Sequence, residues 1–93
     1  MSDYAWIVTR DCLEEKDIKI LGGSDITDEQ EKRLVAGEGE KFIMRDCDNI
    51  DYYKGRIIGD YTGFEPLEDY GTPNAGATDI LYKNKDTRVW EVL

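Results

Sequence analysis

Short segments with strand-type composition recur along this chain, and they constrain its fold more than any other feature. Residues 3–11 (DYAWIVTRD) alternate along a run of β-branched and aromatic residues, with Trp6 and Val8 predicted on one face and Ala5 and Ile7 on the other. Both faces of this strand are apolar, so we expect it to occupy a central position in a sheet. Four more segments are predicted as two hairpins: 41–46 with 50–60, and 78–84 with 88–93. Residues 18–21 are interpreted as either a short strand or an anchored loop.

Only residues 27–37 have capping signals at both ends of a predicted helix. Thr27 is a suitable N-cap with Gln30 as its capping-box partner, and Gly37 follows the last turn. The apolar residues of this segment lie near its end, so we expect the helix to dock there and to leave its acidic start in water. The sequence therefore predicts one α+β domain over residues 1–93, a mostly antiparallel sheet of four or five strands with one short helix packed on it.

Residues 62–77 are predicted to form a long loop, because two prolines and three glycines interrupt them. Phe64, Leu67 and Tyr70 have helix-like spacing and are expected to pin this loop to the body of the protein. Loops of this length are uncommon within compact domains and often carry function.

Residues suited to catalysis or metal binding are scarce. The chain has no histidine, so a zinc site or a nucleophile–histidine pair is not expected, and we predict a protein with no enzymatic activity, cofactor or metal. The segment DCDNID (46–51) resembles the start of a calcium loop, but Asp51 and Ile57 stand where glycine and glutamate are needed. Hairpin-turn chemistry is the better interpretation. Cys12 and Cys47 are expected to be reduced and partly buried, as in a cytoplasmic protein.

The overall charge points to the chemistry of a partner. Lysine and arginine number 12 against 21 aspartates and glutamates, a formal net charge of −9, and no more than two cations are adjacent in sequence. This argues against direct binding to nucleic acid or to anionic membranes and favours a positively charged partner. No apolar run approaches the roughly 20 residues of a membrane span, and the N-terminus has no basic signal-peptide region. We therefore predict a cytoplasmic protein, with its oligomeric state left open.

Two acidic segments are the candidate partner-binding site. Residues 11–31 hold eight acids against two lysines, and residues 57–82 hold five acids and no cation. A field of this kind would speed association with a basic groove. The alternative is an interaction module whose acidity serves only solubility. The predicted partner-binding residues are Asp25, Asp28, Glu29, Glu31, Asp60, Glu65, Glu68 and Asp69.

Three segments carry a resemblance: AWIVTRD, LVAGEGEKFIMRDCDNIDYYKGRIIGD and EPLEDYGTPNAGATDILY. They are similar to short uncharacterised proteins of bacteria and their phages. As a class, a small acidic α+β protein without cofactor motifs resembles phage-encoded anti-CRISPR proteins of the DNA-mimic type. The resemblance implies an inhibitor in a bacterial cytoplasm that blocks a basic nucleic-acid-binding complex, such as a CRISPR surveillance complex. It implies no particular site residues.

Overall fold

The fold is a six-stranded antiparallel sheet with a helical element on each face, as seen in a computed structural model that describes residues 4–24, 26–84 and 86–93. The spatial order of the strands is β2-β1-β4-β3-β5-β6. This confirms the α+β class, with six strands instead of four or five and with more helix than predicted. The strands are β1 (Tyr4–Asp11), β2 (Lys16–Gly23), β3 (Glu40–Arg45), β4 (Asp51–Gly59), β5 (Asp79–Lys83) and β6 (Trp90–Val92). The helical elements are α1 (Asp28–Val35), a π-helical segment (Leu67–Gly71) and α2 (Thr72–Ala75).

Strand β1 lies between β2 and β4, so its predicted central position is confirmed. Its side chains alternate between two cores, as the sequence pattern predicts. Trp6 and Val8 belong to the larger core, on what we call the front face of the sheet. Ala5 and Ile7 belong to the smaller core, on the back face. Residues 18–21 are part of β2, which resolves the two alternatives for that segment in favour of a strand.

The central hairpin has the predicted strands, but an extra residue changes its register. Met44 pairs with Tyr53 whereas Arg45 pairs with Asp51, so Tyr52 has no opposite residue and forms a β-bulge. Gly55 provides close packing between β4 and β1: a Cβ there would lie 2.0 Å from the carbonyl oxygen of Ile7.

Helix α1 packs on the back face over β1 and β4. The Thr27 hydroxyl accepts from the Gln30 backbone N–H, and the Gln30 side chain accepts from the Thr27 backbone N–H, so the predicted capping box is confirmed. Leu34 is fully buried and is the only residue of α1 in the core. The helix therefore docks by its C-terminal half, and Asp28 and Glu29 lie in water, as expected.

The predicted loop over residues 62–77 is wrong, because most of it is helical. Pro66 precedes the π-helical segment and Pro73 lies in the first turn of α2, where the missing N–H of proline has no helical partner to lose. Gly71 stays in a right-handed helical conformation, and a Cβ there would meet the Met44 sulfur at 2.6 Å. Pro66 and Pro73 therefore lie at the starts of helical elements, and Gly71 permits close packing against Met44. Leu67 is buried as predicted, whereas Phe64 is 43% exposed and does not anchor the segment.

The cysteines are both free thiols. Cys12 is half-buried, and burial raises its pKa. Cys47 lies exposed in the β3–β4 turn, so the expectation that it is partly buried is wrong. Within the described part of the chain, no helix has the length and apolar character needed to cross a membrane.

Candidate functional site: two oppositely charged surfaces

The eight predicted partner-binding residues do not form one surface. Asp25 lies outside the described residues. Asp28, Glu29 and Glu31 lie on α1 at the back face, the first two exposed and Glu31 half-buried. Three others are carried by the helical segment on the front: Glu65, Glu68 and Asp69. Asp60 is exposed just after β4. The sheet therefore separates the two predicted acidic groups.

Asp69 ties the helical segment to β1. One of its carboxylate oxygens, Oδ2, accepts from Tyr4 Oη at 2.8 Å and from Trp6 Nε1 at 3.1 Å. Trp6 is 4% exposed, so its indole N–H depends on this acceptor. Asp69 thus has a structural role in addition to any role in binding.

Glu65 has a similar structural role at the start of the helical segment. Its carboxylate oxygens accept from the backbone N–H groups of Thr62 and Gly63, each at 2.8 Å. Burial opposes ionisation of this carboxyl, but the two N–H donors outweigh it and hold its pKa below the usual value. The side chain is therefore fixed in its charged form.

The tyrosines beside these carboxylates have raised pKa values. A hydrogen bond to Asp69 is the main reason that the pKa of Tyr4 is raised to about 12, with burial and the charges of Asp69, Glu65 and Glu68 adding to it. Burial likewise raises the pKa of Tyr61, whose hydroxyl donates to Glu40. We call Glu40, Glu65, Glu68 and Asp69 the front acidic surface.

On the back face, strands β3, β4 and β5 carry positively charged side chains. Lys41 pairs with Arg56 across β3 and β4. Lys83 lies one residue beyond the Phe42–Tyr82 pair, so it continues the same row on β5, and Trp90 pairs with Lys83 on β6. Alternation places all four side chains on the back, since Phe42, Ile57 and Tyr82 point to the front core. We call Arg56, Lys41 and Lys83 the basic row.

Two shallow cavities adjoin the basic row and share Lys41. One has a volume of about 240 Å³ and is lined by three cations, one acid and two uncharged residues: Lys41, Lys83, Arg88, Glu40, Gly39 and Asn84. The other is also about 240 Å³, and its lining includes Lys54, Arg56, Ile43 and Trp90. Five of the twelve cations of this acidic protein thus meet on one part of one face.

The basic row has no ion-pair partner in the described part of the chain. None of its three cations takes part in an ion pair there, whereas Arg10, Lys16, Arg33 and Arg45 each contact a carboxylate. Glu40, next to Lys41 in sequence, accepts from Tyr61, which stacks on Tyr82 at the front. Like charges directly opposite one another destabilise a sheet. Arg56 has a stabilising role, since it donates to the Leu34 carbonyl oxygen at the end of α1, but neither Lys41 nor Lys83 makes a side-chain hydrogen bond or ion pair among the described residues.

Sequence reasoning missed the basic row because its members are 15 to 42 residues apart. A hairpin without the Tyr52 bulge would set Lys41 opposite Gly55, not Arg56. The only usable signal was the run of cations Lys41, Lys54 and Arg56 on one predicted hairpin.

The segment around Asp46 forms a turn. Asp46 Oδ1 accepts from the backbone N–H groups of Asp48 and Ile50, and Oδ2 accepts from Tyr52 Oη. The N–H of Ile50 is the main reason that the pKa of Asp46 is lowered. No cluster of three or more potential metal ligands occurs within residues 4–24, 26–84 and 86–93.

Comparison with protein-family models, with curated proteins and with solved structures gave no match to this chain.

Proposed function

We propose that this protein is a non-catalytic inhibitor, of the DNA-mimic anti-CRISPR type, that acts in the cytoplasm of a bacterial host. It presents carboxylates to the basic groove of a nucleic-acid-binding defence complex and blocks the groove by occupying it. No cofactor takes part in this function.

The front acidic surface is the observation that carries the proposal. Glu65 and Asp69 are held in place by two hydrogen bonds each, so two of its charges are fixed before a partner arrives. Charges fixed in advance lose little conformational entropy on binding. Residues 57–82, which supply three of the four carboxylates, contain no cation that would neutralise them.

The acids of α1 are less suited to the same role. Lys32 and Arg33 follow Asp28 and Glu29 within one short helix, so the local charge is partly balanced. Asp28 and Glu29 also lie in the first turn, where carboxylates stabilise the helix through its dipole. We therefore assign binding to the front acidic surface and a mainly structural role to the α1 acids.

A capture experiment with matched variants tests this assignment. Tagged protein is exposed to lysate of a CRISPR-bearing bacterium at low salt, then washed with increasing salt or with competing duplex DNA. We expect a basic nucleic-acid-binding complex to be captured and released by either wash, because the contact is electrostatic. Salt-resistant partners alone would favour the interaction module whose acidity serves solubility.

Two charge reversals locate the binding surface. Glu68→Lys and Glu29→Lys both alter an exposed glutamate in the first turn of a helical element, and both change the net charge equally. We expect Glu68→Lys to lower capture at least tenfold and Glu29→Lys to change it less than threefold. Equal losses would mean that net charge, not the front acidic surface, drives the interaction.

A further inference from the structure

The basic row has a location and composition that the proposed inhibitor function does not use. It lies on the back face, whereas the front acidic surface lies across the sheet from it. The back of β3, β5 and β6 extends past α1, which packs mainly on β1 and β4. This leaves a concave, cationic area with an aromatic residue at one end.

We propose that this area is a binding site for a small phosphate-bearing molecule with an aromatic group, of the nucleotide class. In this proposal the phosphates bind in the cavity lined by Lys41, Lys83 and Arg88. The aromatic base lies in the adjoining cavity against Trp90, and Lys41 contributes to both cavities.

The donors suit phosphate oxygens. Lys41 and Lys83 each bring an ammonium group that has no carboxylate partner among the described residues, and Arg88 adds a guanidinium group. Arg56 donates from Nη2 to the carbonyl oxygen of Leu34 at 2.6 Å, and its buried Nε finds no acceptor within the described chain. A bound anion would relieve the like-charge repulsion along the row.

The second cavity suits a planar ring. Its lining combines the half-buried Trp90 with the buried Ile43 and Phe42 and with the cations Lys54 and Arg56. Aromatic groups stack favourably on tryptophan, and this contact does not depend on the identity of the base.

The size of the basic row favours a small ligand over a nucleic-acid strand. Three neighbouring strands span about 10 Å between the outer two. A polymer would extend from there toward the acidic parts of a molecule with net charge −9 and would be repelled by them. A single nucleotide stays within reach of the local cations, where the repulsion is smallest.

Nuclear magnetic resonance of the two indole groups provides the test. The signal of Trp90 Nε1–H reports the proposed site, while that of Trp6, which donates to Asp69, is an internal control on the front. Trp90→Phe identifies the signals. On titration with ATP without metal, we expect a saturable shift of the Trp90 signal only. Sodium pyrophosphate should compete with ATP, and adenosine alone should bind at least tenfold more weakly than ATP.

Two double variants distinguish a specific binding site from general attraction of ATP to exposed cations. Lys41→Ala with Lys83→Ala should raise the Kd for ATP at least tenfold, without loss of folding because it removes like-charge repulsion. Lys19→Ala with Lys32→Ala, two exposed cations elsewhere, should change the Kd less than twofold.

Three results would overturn the proposal: no saturable shift, equal losses in the two double variants, or binding of a thymidine oligonucleotide but not ATP. The last would replace the nucleotide with a nucleic-acid strand. A failure here leaves the capture experiment unaffected, since the residues changed there, Glu68 and Glu29, line neither cavity of the proposed site.

Discussion

Replacing Asp69 tests whether the front acidic surface and the fold depend on the same carboxylate. In Asp69→Ala the indole N–H of Trp6 loses its acceptor in a nearly closed environment, since Trp6 is 4% exposed. A buried donor left without a partner costs about 1–3 kcal/mol. The Tyr4 hydroxyl adds little, because it lies in an exposed contact and turns to water instead.

The loss is large against the whole stability of a domain this size, which is about 5–14 kcal/mol for 93 residues. It corresponds to a fall in Tm of about 4–8 °C for each kcal/mol. Thermal unfolding followed by circular dichroism measures the fall, and urea unfolding gives the free energy. Glu68→Ala, an exposed neighbour, is the matched control and should stay within about 0.5 kcal/mol of the wild type.

A double-mutant cycle attributes the effect to the indole contact. Asp69→Ala and Trp6→Phe should be non-additive, because each removes the same hydrogen bond. The pKa of Tyr4, now about 12, should also fall toward 10 in Asp69→Ala, as read from the tyrosine ring resonances. Equal stability of Asp69→Ala and wild type, or simple additivity in the cycle, would refute the claim that Asp69 ties the helical segment to β1.

Further predictions concern the cores, the basic row and pH. Leu34→Ala removes the only buried side chain of α1 and should lower the free energy of unfolding by about 2–5 kcal/mol, as measured by urea titration. A loss below about 1 kcal/mol would contradict the docking of α1 by this residue. Gly55→Ala places a methyl group 2.0 Å from the Ile7 carbonyl oxygen, so soluble folded protein should be largely lost, and a wild-type Tm would disprove this close contact. Lys41→Glu breaks the like-charged row and should stabilise the fold by about 0.2–1 kcal/mol in the same assay, whereas destabilisation would show that the row is not repulsive. Because the pKa of folded Tyr4 is raised, its contribution to stability is complete below pH 10 and is lost as pH rises through about 12. Melting curves recorded across this pH range should show the loss of stability, and Asp69→Ala should lack the part of the loss that is due to Tyr4.

The elements that the sequence predicted are those whose signals are local. The Thr27–Gln30 capping box and the two-faced alternation of β1 depend on neighbours within a few residues, and both are present. The helical segment was missed because Pro66, Gly71 and Pro73 are residue types that usually interrupt helices. Whether a helix tolerates these residues depends on their position in the helix and on tertiary packing, such as the approach of Gly71 to Met44. No local sequence pattern reveals that packing.

The candidate site was only partly predictable for the same reason. Glu65, Glu68 and Asp69 share a segment, so their grouping could be read from the chain. Their separation from the α1 acids depends on which face each helix covers. The basic row depends on strand register set by the bulge at Tyr52, and one residue of register decides whether Lys41 faces Arg56 or a glycine.

Competition with DNA on the captured complex is the most direct test of the inhibitor account. Labelled duplex DNA is bound to the purified complex at about 0.1 M salt, where charges interact over about 10 Å. The protein is then added, alone or as Glu68→Lys. The account predicts that wild type displaces the DNA fully and competitively, and that Glu68→Lys requires at least tenfold more protein. A ternary complex that retains both DNA and protein would contradict it, because the groove would not be the site of binding.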